Sequence, residues 1–173
     1  LQTIEKFIRK KQLVSYIKHR PKIVFLSNYH KNKTSFITSL FGHIRVNWGI
    51  DDLFINTKIN NVDVDNNLSI FTSRPDRNLD LLLNIWNKDI FPKFIKAKLL
   101  ITPPINEIDK SKNIIFRKTS SRLQMIDDIK KSRIFLIPGH KAELYCLAAE
   151  EARELCVPIV TLGIGSLSER VIH

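Results

Sequence analysis

At 173 residues, 43% hydrophobic and 26% charged, the chain can bury one good core and part of a second. It has no run of 18 apolar residues, so it predicts no membrane-spanning helix. The net charge of +11 gathers at one end, where Lys6, Arg9, Lys10, Lys11, Lys18, Arg20, Lys22, Lys31 and Lys33 face only Glu5.

That asymmetry fits an anionic partner (nucleic acid, membrane or acidic substrate) and equally a Lys- and Asn-rich composition. No base-reading or stacking module accompanies it, so no nucleic acid is expected. Cys146 and Cys156 fall within one predicted element and make no disulfide framework, which points to a reducing cytoplasm. No Cys/His cluster has metal spacing, so no metal is expected. Position 1 is Leu and the chain stops at His173 inside a predicted helix, the expectation for a piece of a longer protein.

Ile4, Phe7, Ile8, Val14 and Ile17 among lysines predict a basic amphipathic helix over 1–17, ending near Arg20-Pro21. It could lie on anionic lipid, peripheral to a membrane's inner face; packing against the sheet with a solvated basic face is the favoured reading. Lys22–Ser27 predicts a strand with Asn28-Tyr29-His30 at its carboxyl end, where ligands collect in open α/β sheets. A short helix is expected over Lys33–Phe41, a strand and turn over Arg45–Asp51, and a polar linker over Asn56–Asn67. Leu68–Thr72 predicts a strand, followed by a loop with Arg74 and Arg77 and a helix with Leu79, Leu82, Leu83 and Trp86 on one face. Strands at Ala97–Thr102 and Asn113–Arg117 come next. Thr119-Ser120-Ser121 then caps a helix whose apolar side is Leu123, Met125, Ile126 and Ile129.

The last stretch is the most informative. Ile134–Ile137 predicts a buried strand, Leu144–Leu155 a helix, and Val157–Leu162 a second strand. Gly163–Ser166 follows as a flexible turn, and Ser168–Val171 opens another helix. This is a βαβ unit of a parallel sheet. Glu143 falls at or just before the helix start and Glu151 two turns on, about 12 Å further along the axis. Two carboxylates so spaced suit the hydroxyls at the sugar and ribose ends of a nucleotide-sugar; they also suit two solvated helix glutamates.

The words around these glutamates resemble a known signature. Glu143, then Glu151-Ala152, Val157-Pro158-Ile159-Val160 and Gly165-x-x-x-Glu169 are similar to the motif of retaining GT-B glycosyltransferases, the large family of glycogen and sucrose synthases. Leu144-Tyr145-Cys146 stands where Gly-Phe-Gly is usual, and Cys156 where a glycine precedes Val-Pro. Asn47-Trp48-Gly49-Ile50-Asp51-Asp52-Leu53-Phe54 resembles the family's interdomain crossing, with Trp48 inserted. Ser73–Leu83 resembles its diphosphate-binding loop and helix.

The resemblance implies an α/β, Rossmann-like parallel sheet with helices on both faces. Residues 1–55 would be the end of an N-terminal domain and the crossing, and 56–173 an incomplete nucleotide-sugar-binding domain. It implies transfer from a nucleotide-sugar to a glycan or glycolipid acceptor with retention, and no cofactor. Glu143, Arg74 and Arg77 would be catalytic. Glu151 would hold the ribose, Gly165 and Ser166 would offer amides to the diphosphate, and Arg117 would lie by the nucleobase. The alternatives are a basic binding module without catalysis, and an epimerase or phosphorylase of the same fold.

Overall fold

The computed structural model describes residues 10–34, 40–60, 62–102, 112–118 and 121–171. Helix α1 (Lys10–His19) leads to β1 (Ile23–Phe25), α2 (Asn28–Asn32) and β2 (His43–Arg45), where β1 and β2 pair in parallel. A crossing through α3 (Asp52–Ile55) brings the chain to β3 (Asp65–Phe71), α4 (Leu79–Ile85) with a π-turn over Trp86–Ile90, β4 (Lys98–Ile101) and β5 (Ile114–Phe116). Helix α5 (Arg122–Lys131), β6 (Ser132–Leu136), α6 (Leu147–Glu154), β7 (Ile159–Val160) and α7 (Leu167–Arg170) complete it.

The main sheet has the order β5-β4-β3-β6-β7, parallel throughout. After β3 the chain builds outward through β4 and β5, then returns to place β6 on β3's other side. The order therefore reverses between β3 and β6, the crevice where open α/β sheets bind ligands. Alternation along the strands sends neighbouring residues to opposite faces. Ile70 and Phe135 join a core with Ile126, Ile129, Ala149, Ala152 and Leu155, while Phe71 and Leu136 join Leu79, Leu82, Trp86, Leu99 and Ile101. Both faces are covered, as parallel sheets require.

Several expected elements shift. The strand near Arg45 is His43–Arg45, and the main sheet's first strand begins at Asp65, inside the expected linker. Val14 and Ile17 are exposed on α1, so the expected packing of its apolar side is not seen among the described residues; Tyr16 instead meets Phe41 at 5.3 Å between ring centroids. Residues 1–9 of that helix, and 35–39 of the one expected at Lys33–Phe41, lie outside the described residues. His30 is not a loop histidine facing a cleft: it is buried in α2, and its Nδ1 accepts from the Leu26 amide at 3.3 Å. Leu123, expected on the apolar side of α5, is exposed; Ile126 and Ile129 carry that side into the core, with Met125 packed against it.

Helix α6 starts at Leu147 rather than Leu144, because Cys146 takes a left-handed conformation (φ 66°). Cys156, just past the helix end, does the same at φ 56°. Both stand where the resembled signature has glycine, so this chain keeps the glycine backbone with a side chain attached. The Cys156 amide donates to Arg153 and the Val157 amide to Ala152, each at 3.0 Å, which is a Schellman ending. Cys156 is exposed, so relieving its backbone leaves no cavity. Cys156→Gly should raise stability by about 1 kcal/mol, read as a higher midpoint in urea denaturation.

Candidate active site

At the switch point lies a cleft of about 550 Å³ lined by Thr72, Ser73, Arg74 and Arg77 after β3, by Ala142–Ala148 and Glu151 after β6, and by Leu26 and Trp48 from the N-terminal part. Each wall follows from a strand ending. The β3 chain exits through Thr72 into a turn closed by Asn78, whose left-handed backbone (φ 63°) starts α4 and whose side-chain amide donates to Gly139 O. Beyond β6, Pro138-Gly139 turns the chain into the irregular stretch 140–146 that carries Glu143.

Arg77 and Glu143 form a direct ion pair in the cleft lining, Nε to Oε2 at 3.1 Å, with both side chains mostly buried. Glu143 Oε1 also accepts the Cys146 amide at 3.2 Å, so the carboxylate is held at both oxygens. Arg77 Nη1 lies 3.4 Å from His140 Nδ1, which also takes the Ala142 amide at 3.1 Å. Both neighbours are donors, so Nδ1 accepts and the ring proton sits on Nε2. Arg74, at 69% side-chain exposure, makes only a surface pair with Asp76. Its guanidinium is free to swing to a phosphate.

Glu151 differs from these. Half-buried on the cleft wall, its carboxylate takes no hydrogen bond or ion pair among the described residues. Burial pushes its pKa up, Arg122 pulls it back and Asp51 adds to the rise. Arg122 and Asp51 are themselves paired at 2.8 Å. Its carboxylate thus keeps its acceptor capacity for a donor that enters the cleft.

Three sequence expectations need correction. Glu143, expected at or just before the helix start, lies four residues ahead of it, because the left-handed Cys146 delays α6 to Leu147. The 163–166 turn does not present Ser166 to a ligand: its amide donates to Glu143 O at 3.0 Å, and its side chain is fully buried. Gly165 lies so close beneath the loop that an added Cβ would be 2.3 Å from His140 O, so it seats the cleft wall instead of lining it. Arg117 is not among the lining residues, and its guanidinium pairs with Asp128 on α5.

Sequence reasoning missed His140, Tyr145, Arg122 and Arg170. Arg170 sits flat over the Tyr145 ring at 3.7 Å and donates to Leu26 O at 3.1 Å, Asn47 Oδ1 at 3.3 Å and Glu150 Oε1 at 3.0 Å. Tyr145 OH donates to Trp48 O at 2.8 Å, and Glu169 accepts the Asn28 and Tyr29 amides at 3.2 and 2.7 Å. These contacts clamp the β1–β2 part over the cleft and leave the Trp48 ring, half exposed, as one wall. The inserted Trp48 was the available sequence signal for that wall. Cys146 is no nucleophile, since burial pushes its thiol to about 12.

No family model matches the sequence, and no curated protein matches it. Solved structures do match. AviGT4, a glycosyltransferase involved in avilamycin A biosynthesis, superposes with a TM-score of 0.61 at 13% identity, over 84% of this chain and 46% of its own. TarM superposes with a TM-score of 0.60 at 15% identity, over 83% of this chain and 30% of its own. The chain has a glycosyltransferase fold. It spans less than half the length of either protein. Among the described residues no helix is long and apolar enough to cross a membrane.

Proposed function

We propose that the chain carries the donor half of a glycosyltransferase that takes a nucleotide-sugar and transfers the sugar to a glycan or lipid acceptor with retention. The observation that carries this reading is Glu151, an unpartnered, half-buried carboxylate in the cleft at the sheet's switch point. Vicinal ribose hydroxyls are the donors that would satisfy it. Trp48 offers a flat apolar face within the same cleft.

On the opposite wall Arg77 would bind the donor's diphosphate, and Arg74 would close on it from the surface. As the bond from the anomeric carbon to the leaving phosphate oxygen breaks, charge grows on that oxygen and on the sugar ring. The held Arg77 guanidinium, joined by Arg74 once it closes, would stabilise the first. Glu143, already oriented by Arg77 and the Cys146 amide, would hold sugar hydroxyls and face the cationic ring. Side-chain cations offset the diphosphate charge in this scheme, so it calls for no metal.

Titration calorimetry with UDP-, GDP- and ADP-sugars tests the reading. One donor should bind, and Glu151→Ala should weaken it about tenfold, the loss of a charge-assisted hydrogen bond. Equal affinity in both proteins would overturn the assignment. The pH dependence has a fixed sign. Because the folded pKa of Glu151 is raised, its contribution to stability is present at low pH and lost as pH rises through the interval above its unfolded value. The hydroxyls need the ionised form, so donor affinity should strengthen across the same interval, with proton release, and Glu151→Gln should flatten the profile.

A further inference from the structure

A second groove, about 670 Å³, lies against the face that holds Trp86. One side is the Phe91–Ala97 loop, which precedes β4 and so sits at the amino edge of the sheet, opposite the cleft. At its tip Phe94 and Ile95 are 64% and 70% exposed. The loop is not loose. Phe94 N donates to Ile90 O at 2.9 Å, Ala97 N to Phe94 O at 2.8 Å, and Asn113 Nδ2 to Ile95 O at 2.9 Å. Just upstream, the Phe91 amide reaches Trp86 O at 2.8 Å in the π-turn, a distortion often found at functional sites. Two large apolar side chains are thus held in water by a hydrogen-bonded frame.

Cations surround them. Lys93, Lys96 and Arg133 line the groove, and Lys88 and Lys98 flank it in the chain. Against these five stand Asp89, and Asp65 paired with Lys98 at 3.0 Å, which leaves three positive charges in excess. Protein interfaces are depleted in lysine and bury about 800 Å² per partner, far more than one loop tip offers. Apolar side chains ringed by lysine suit the headgroup boundary of an anionic bilayer.

We propose that the Phe91–Ala97 loop is a docking surface for anionic phospholipid bilayers, with Phe94 and Ile95 entering the interface and Lys93, Lys96 and Arg133 on the headgroups. This inference is independent of the transferase reading.

Co-sedimentation of the whole chain with vesicles of equal parts phosphatidylcholine and phosphatidylserine, against phosphatidylcholine alone, tests it. The wild type should bind the mixed vesicles, more weakly as salt rises. Phe94→Ser with Ile95→Ser, and separately Lys93→Ala with Lys96→Ala, should each lower partitioning by at least about tenfold. Lys18→Ala with Arg20→Ala, the same charge change on α1 and its end, should do far less. Failure of the wild type to bind, wild-type binding by the serine pair, or an equal loss in the α1 control would each overturn the proposal. All these side chains are exposed, so melting curves should not move, and calorimetric donor binding should stay at the wild-type level.

Discussion

Replacing Glu150 with alanine should destabilise the protein by about 3 kcal/mol, a fall of about 6–12 °C in melting temperature for a chain this size. Its side chain is 7% exposed and pairs with Arg170, itself largely buried, and with the outward Arg153. Breaking a buried pair leaves the surviving charge uncompensated, which costs more than the intact pair contributes. Arg170 would retain Leu26 O, Asn47 Oδ1 and the Tyr145 ring, so the low end of the usual range applies. Arg153→Ala removes the solvent-facing partner and should change stability by less than about 0.5 kcal/mol. Urea denaturation of both variants separates the two cases. Near-equal midpoints would mean that the Glu150 carboxylate is effectively solvated. Because Arg170 keeps its Leu26, Asn47 and Tyr145 contacts, Glu150→Ala should leave the Trp48 wall in place and donor affinity near the wild-type level where the variant is folded.

The parallel sheet was legible because strand and helix periods are strong at Leu68–Thr72, Leu79–Trp86 and Ile134–Ile137. Once those elements alternate, few topologies remain. Helix α6 was misread at its start for a physical reason. Leu144, Leu147 and Leu155 fit a helical stripe, yet Cys146 takes a left-handed backbone, its amide turned to Glu143 Oε1, which periodicity does not report. Arg77 and Glu143 could each be picked out as cleft residues, but not as partners, since 66 residues separate them along the chain. Arg170 and Glu169 were invisible as a clamp for the same reason: the Leu26, Asn28, Tyr29 and Asn47 groups they hold lie more than a hundred residues away. Composition was no guide either. The N-terminal charge excess drew attention to α1, whereas the patch that joins cations to exposed apolar side chains lies at 91–97.

Gly165→Ala should be the most damaging small substitution in the C-terminal unit, at about 3–4 kcal/mol, with donor binding lost beyond what instability explains. Two effects add. The backbone at φ +78° disfavours any Cβ, at about 1–2 kcal/mol. The added methyl would also sit 2.3 Å from His140 O and 3.0 Å from Glu143 O, both backbone atoms that a rotamer change cannot clear. The 140–143 loop must move outward, breaking the Ser166 N to Glu143 O bond of 3.0 Å and shifting the carboxylate that meets Arg77. Gly163→Ala isolates the first effect. Its φ is +65°, but the nearest atom to a new Cβ is 3.9 Å away, so it should cost only about 1–2 kcal/mol and leave the cleft wall in place. Donor titration at a temperature where both variants are folded makes the comparison. If Gly163→Ala and Gly165→Ala lose affinity alike, the turn acts through its flexibility or its amides. If only Gly165→Ala loses it, the turn acts as a seat that fixes where Glu143 stands.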